Sequence, residues 1–208
     1  MKHKIFRRLW SDDEELAAQS LSILRRSFPV NEQMSGAFWA ETLSKLGDNS
    51  TYQWFVVCRN DTVIGMFFLD IVSVLDTRPG AFLWYLCVSD EHRGDGIGTR
   101  MYSEIRRIVL EAGCQDMMFE VDIPDHQGPP ESEGFQLAER RISWYRRMGA
   151  RLLTGVEWFQ EVDNGSGPTK MWLMYDSLDR SQTAESAYAR VCSVSGKQLK
   201  RNDSVSLD

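Results

Sequence analysis

The chain has 208 residues, of which 42% are hydrophobic, 11% aromatic and 26% charged. That is the make-up of a globular protein long enough to bury roughly 70% of its unfolded surface in one core. The net charge of −6 argues against general nucleic-acid binding, which needs a basic surface, and mildly favours a cationic partner such as an amine.

Residues 4–10 (KIFRRLW) read as a short strand. No apolar run precedes the acids that begin at Asp12, so no signal peptide is expected. Ser11-Asp12-Asp13-Glu14 reads as a capping box with Glu14 at the third helical position. Leu16, Ala17, Leu21, Leu24 and Phe28 then recur at helical spacing until Pro29 closes the segment. A second helix is expected from near Asn31 to Leu46, with Gly47 as its stop. Residues 51–59 and 62–74 are β-rich runs joined by Asn60-Asp61, a hairpin signal with a poorer turn pair than Asn-Gly. The apolar stretch 63–72 is broken by Asp70 and is too short to span a bilayer.

A third apolar run covers 81–88 (AFLWYLCV). After a glycine turn, Ile97, Met101, Ile105, Ile108, Val109 and Ala112 form one helical stripe ended by Gly113. Residues 115–121 alternate, with Met117, Phe119 and Val121 on one face and Glu120 on the other. A polar loop leads to a helix over 134–148, and strands over 152–161 and 169–176 flank a Gly-Ser-Gly-Pro loop. The expected organisation is one α/β domain over 1–176, largely antiparallel in its first half. A polar, Ser-rich tail over 177–208 follows, with a short helix near Tyr188 and Val191 and disorder from 195 onward.

Cys58, Cys87, Cys114 and Cys192 form no C-x-x-C pair. Neither a zinc site nor a disulfide framework is expected, and reduced thiols in a cytoplasmic protein are the default. His92 and His126 belong to no metal-ligand pattern.

The chemistry is concentrated in 86–102, LCVSDEHRGDGIGTRMY. A strand ends at Val88, and Arg93-Gly94-Asp95-Gly96-Ile97-Gly98 opens a helix. Three glycines in five positions let backbone approach a ligand with no Cβ in the way. The first helical turn leaves N–H groups unpaired and carries about half a positive charge, so the segment reads as a cradle for a phosphate or pyrophosphate. A Walker loop would need Gly-Lys-Ser/Thr where Gly98-Thr99-Arg100 stands, and G-x-G-x-x-G counted from Gly94 would need glycine at Thr99.

Arg-x-x-Gly-x-Gly, preceded by Leu86-x-Val88, resembles the pyrophosphate-binding signature of the GNAT acetyltransferase superfamily. The order of elements over about 4–176 resembles that family too. A second family motif, Tyr-x-x-x-Gly-Phe, is echoed by Tyr145-Arg146-Arg147-Met148-Gly149-Ala150, with Ala150 in place of Phe. Ala138 stands where many members carry Asn, and Asp95 puts a negative charge in the turn. The resemblance implies a GNAT-like fold with a mixed, mostly antiparallel twisted sheet of six to seven strands and about four helices. It implies acetyl-CoA as co-substrate. Backbone groups of Leu86, Cys87 and Val88 would pair with the pantetheine arm, and those of Arg93, Gly94, Asp95, Gly96, Ile97 and Gly98, with Thr99, would hold the pyrophosphate. Tyr145 would sit near the thioester sulfur. The implied reaction is direct attack of a small-molecule or peptide amine on the thioester, with no metal, nucleic acid or membrane involved. A non-catalytic acyl-CoA sensor is the alternative, and a nucleotide-binding turn a remoter one.

Several residues carry two readings. Tyr145 lies on the apolar stripe with Ile142 and Phe135, so a general acid competes with a core tyrosine. Glu120 suits a general base in a cleft, against an exposed acid on a strand edge; Asp122 shares its face, and Asp70 and Glu157 are weaker candidates. The basic run of Arg140, Arg141, Arg146, Arg147 and Arg151 reads as a contact for the coenzyme's 3′-phosphate or as a solvated face. Trp10, Trp39, Trp54, Trp84 and Trp158 line an acceptor site or fill the core. The acceptor would be shaped by 29–38 and by 160–169, and a homodimer through the C-terminal strands stays open.

Overall fold

Apolar runs and turn residues with positive φ set up the strands of the first part of the chain. In the computed structural model, residues 4–75, 77–178 and 182–208 are described, the side chains of residues 202 and 203 excepted. Eight strands form one mixed sheet in the order β1-β2-β3-β4-β5-β7-β6-β8, with five helices. The chain divides into two compact units whose segments alternate along the sequence.

The first unit takes Met1–Ile71, Leu83–Ile105 and Glu161–Pro168. Strand β1 (Lys4–Arg8) pairs antiparallel with β2 (Tyr52–Arg59), which pairs antiparallel with β3 (Thr62–Val72). Asn60 and Asp61 both adopt positive φ, 50° and 61°, the geometry of a primed type I turn. The weaker turn pair therefore still closes the expected hairpin. Strand β4 (Gly80–Val88) follows. Helix α1 (Glu14–Ser27) and helix α2 (Gly36–Ser44) supply Ala17, Ile23, Leu24 and Trp39 to a buried cluster with Trp54, Val56, Met66, Phe68 and Tyr85. Side chains of that size gain about 1.5–3 kcal/mol each on full burial.

Two helix starts differ from the sequence expectation. Ser11 is not the cap of α1: the residue before the helix is Asp13, whose carboxylate instead accepts the Trp10 N–H at 2.9 Å and pairs with Arg7. The expected helix over 31–46 is split into a 3-10 turn at Val30–Glu32 and α2. Ser35 causes the break, because its Oγ accepts the Phe38 N–H at 3.1 Å and starts a new helix at Gly36.

The second unit takes Val72–Phe82, Arg106–Gln160 and Thr169–Asp208. Strand β5 (Asp116–Val121) pairs antiparallel with β7 (Thr169–Ser177), which pairs antiparallel with β6 (Arg151–Gln160). Helix α3 (Ile97–Glu111) runs from one unit into the other. Helix α4 (Glu133–Met148) is capped by Ser132 and ended by Gly149 at φ 106°. Residues 177–208 were expected as a polar tail, yet they carry α5 (Ala184–Ser195) and β8 (Arg201–Leu207). Strand β8 pairs antiparallel with β6, Leu153 facing Leu207. Helix α5 buries Ala187, Val191 and Val194 at helical spacing against Met118, Leu153, Trp158 and Tyr175. Among the described residues, eight strands and five helices form the expected GNAT-like mixed sheet fold, slightly more than the six to seven strands and about four helices the sequence implies. Among the described residues, no helix is long and apolar enough to cross a membrane.

The anchor of α5 is ionic. Arg190 Nε lies 3.0 Å from both oxygens of the fully buried Asp116, which also receives Arg78 at 3.1 Å. Replacing Arg190 by methionine strands a carboxylate with one cation fewer. It should cost about 3 kcal/mol, read as a lower urea midpoint with an unchanged slope.

Candidate functional site

The glycine turn sits where the sequence places it, between β4 and α3. After Val88, the Ser89 N–H returns to the Ile64 carbonyl at 2.9 Å, and a 3-10 turn spans Asp90–His92. Ser89 Oγ and His92 Nδ1 share a hydrogen bond of 2.8 Å inside that turn. Gly94 and Gly96 adopt φ of 89° and 70°, where an L side chain is strained. A Cβ at either glycine would meet no protein atom within 4 Å. Packing therefore does not explain the glycines: they are required by the backbone path, and they leave the outer side of the turn open.

The first hydrogen bond closing into α3 runs from the Arg100 N–H to the Gly96 carbonyl at 3.2 Å. By helix geometry the N–H groups of Ile97, Gly98 and Thr99 have no intrahelical acceptor. Ile97 is buried, whereas Thr99 is exposed and Gly98 is half-buried, so one side chain pins the helix start while its amides stay near water. Gly65 on β3 makes room behind the turn: a Cβ there would stand 3.0 Å from the Cys87 carbonyl oxygen and 3.1 Å from Met101 Sδ. The donor set, the positive helix end and the open space fit a diphosphate.

Two details could not be read from the motif. The Arg93 N–H is already spent on the Asp90 carbonyl at 3.2 Å, and its guanidinium lies 2.8 Å from the Asp90 carboxylate. The negative charge of Asp95 is offset by Arg59 of β2, whose Nη2 lies 3.3 Å away. Of the strand residues before the turn, Cys87 is buried, and Leu86 and Val88 are half-buried.

Tyr145 and Glu120 belong to the second unit and take opposite faces of β5. Tyr145 is buried on α4, its ring 4.4 Å from that of Phe119 and 4.8 Å from that of Trp144. Glu120, the next residue along the strand, points the other way. Its carboxylate accepts Trp158 Nε1–H on one oxygen and Gln160 Nε2–H at 2.6 Å on the other. Burial pushes its pKa up to about 7, against the lowering effect of those two hydrogen bonds and of the Lys197 charge. Trp158 is itself held between Phe82, stacked at 6.0 Å, and Lys197 Nζ, 5.0 Å from its ring. Sequence patterning found Glu120 but not this surrounding: Trp158 and Gln160 depend on the register of β6, and Lys197 lies in the stretch expected to be disordered.

The other candidates sort simply. Asp122 is paired with Arg141 at 2.6 Å, while Arg140, Arg146, Arg147 and Arg151 are exposed. Glu157 pairs with Lys170 at 3.7 Å. Trp39 and Trp54 are core, Trp84 is half-buried, and Trp10 lies under Arg8 at 4.6 Å. In the first unit the two segments expected to shape an acceptor site meet. Asp163 accepts the Ser35 N–H at 2.6 Å and its Oγ–H at 2.5 Å, and Asn164 Nδ2 donates to the carbonyls of Val30 and Gln33 at 2.6 and 2.7 Å.

No curated protein matches the sequence. Among solved structures, a GNAT-family acetyltransferase from Bacteroides thetaiotaomicron aligns over 93% of this chain and 99% of its own, at 18% identity and a TM-score of 0.68. The NatC complex bound to a Gag peptide and CoA aligns over 86% and 99%, at 15% identity and 0.62. An aminoglycoside 6′-N-acetyltransferase complexed with coenzyme A aligns over 84% and 97%, at 21% identity and 0.60. At such identities these likenesses establish the fold. The Acetyltransferase (GNAT) family matches residues 16–128, more than half of the sequence and the whole of the glycine turn; the chain belongs to that family.

Proposed function

We propose that the protein transfers the acetyl group of acetyl-CoA to a primary amine by direct attack in a ternary complex. Acetyl-CoA is the co-substrate of the family. One observation carries the reading for this chain: a positive-φ glycine turn opens α3 with free amides and open space in front of them.

The residues take roles that their chemistry suits. Amides from Gly94 to Thr99 hold the pyrophosphate, and the backbone of Leu86, Cys87 and Val88 pairs with the pantetheine arm. An amine with a pKa near 10.4 must lose a proton before it attacks. Glu120, its pKa pushed up to about 7, is basic enough to take that proton, directly or through water, yet is ionised at slightly alkaline pH. Tyr145 donates a proton to the leaving thiolate. A small-molecule or peptide acceptor is in keeping with the structural neighbours, an aminoglycoside 6′-N-acetyltransferase and a complex bound to a Gag peptide among them. Four free cysteines support a reducing cytoplasmic setting.

The test is release of free thiol from acetyl-CoA across a panel of amines. Gly96→Ala should keep the fold and weaken coenzyme binding by about tenfold or more, roughly 1.4 kcal/mol by calorimetry; parental affinity would remove the cradle. Tyr145→Phe should slow turnover at saturating substrates, and an unchanged kcat with every amine would strip Tyr145 of its acid role. Below the pKa of Glu120 the base is protonated, so turnover should fall about tenfold per pH unit below roughly 7. Glu120→Gln should abolish that limb of the profile; a limb that persists assigns it to another group.

A further inference from the structure

In the first unit, the rings of Phe38, Tyr52, Phe68 and Trp84 close a circuit. Centroid distances are 6.0 Å from Phe38 to Tyr52, 5.2 Å from Tyr52 to Phe68, 6.4 Å from Phe68 to Trp84 and 6.0 Å from Trp84 back to Phe38. Phe68 is fully buried, but the other three rings are only half-buried.

Asp70 follows Phe68 by two residues on β3 and faces Tyr52 across the ladder to β2, so it shares their face of the sheet. One of its oxygens is held by the Thr51 hydroxyl, while Oδ1 is shielded from water and has no hydrogen-bond partner. Among the described residues Asp70 makes no ion pair. A buried carboxylate oxygen left bare costs stability, and burial accordingly holds the Asp70 carboxyl above its ordinary pKa range. The Tyr52 hydroxyl is also pushed up, by burial and then by the charges of Asp70 and Glu41, with Lys45 opposing them.

The segment that brings Phe38 here is held firmly. Ser35 caps the Phe38 N–H, and Ser35 is itself gripped by Asp163. Rigid aromatic faces beside an unpaired carboxylate make a receptor for a cation, which satisfies the carboxylate and gains from the ring quadrupoles.

We infer that Asp70, with the half-buried rings of Phe38, Tyr52 and Trp84, forms an anchoring subsite for an ammonium group, so that the preferred acceptor is a primary amine bearing a second positive charge. This rests on the acetyltransferase reading above and names its substrate class. Asp70 acts as a specificity-determining residue and takes no part in bond making.

The test compares α,ω-diamines of three to six carbons with monoamines of equal length, by thiol release from acetyl-CoA. For the best diamine, kcat/KM should exceed that of its monoamine by about tenfold or more, through KM. Asp70→Asn should erase the advantage and Phe38→Leu should reduce it, each through the KM of the diamine. No diamine advantage, or one that survives Asp70→Asn, overturns the subsite. If no amine releases thiol while coenzyme A still binds, the acetyltransferase reading has failed instead. Calorimetric titration of the coenzyme-bound protein with the same diamines then decides the subsite: binding that Asp70→Asn weakens about tenfold sustains it, and no binding or an unchanged affinity overturns it.

Discussion

Everything in the functional reading depends on a few N–H groups at the start of α3 being kept without a protein acceptor. A bare amide is expensive in a protein interior and cheap only beside water or a ligand. The fold meets that condition by burying Ile97, Met101 and Tyr102 below the turn while Gly94 and Gly96 carry the backbone through positive φ above it. Gly65 lets the Cys87 carbonyl and Met101 come close enough for strand and helix to hold the turn rigidly. Arg59 offsets the Asp95 charge at the turn, so that an anion can still approach.

Two acids outside the turn, Glu120 and Asp70, are both held above the ordinary carboxylate range by burial, and they differ in their partners. Glu120 has a donor on each oxygen, so its charged form is supported and its pKa stops near neutrality, where proton transfer is useful. Asp70 has one oxygen served and one bare. A satisfied acid is tuned by the protein alone. The proposed ammonium would complete Asp70, and the rings around it favour a cation.

The glycine turn was legible because all of its physics is local: spacing fixes the backbone path, and the path fixes the amides. The Asn60-Asp61 hairpin was legible for the same reason. What escaped depends on partners distant in sequence. Ser35 splits the second helix because it caps locally and is gripped by Asp163, 128 positions on. Helix α5 looked like part of a polar tail, yet Arg190 reaches Asp116, 74 positions away, and strand β8 finds β6 through Val205 and Leu207 among serines. Glu120 could be assigned to the correct side of its strand, but its carboxylate environment needed the register of β6 and the position of Lys197.

The same division explains why the coenzyme class can be read from sequence and the acceptor cannot. Diphosphate recognition uses backbone donors, which any sequence with the right glycines supplies. On the proposed reading, acceptor recognition would use side chains on segments joined by long-range polar contacts, here Asp163 and Asn164 tied to Ser35, Val30 and Gln33. Those contacts fix where Phe38 stands, and Phe38 closes the ring circuit beside Asp70. On that reading, replacing a single loop residue would change which amine is chosen while the coenzyme site stays as it is, since no group of the glycine turn takes part in these contacts.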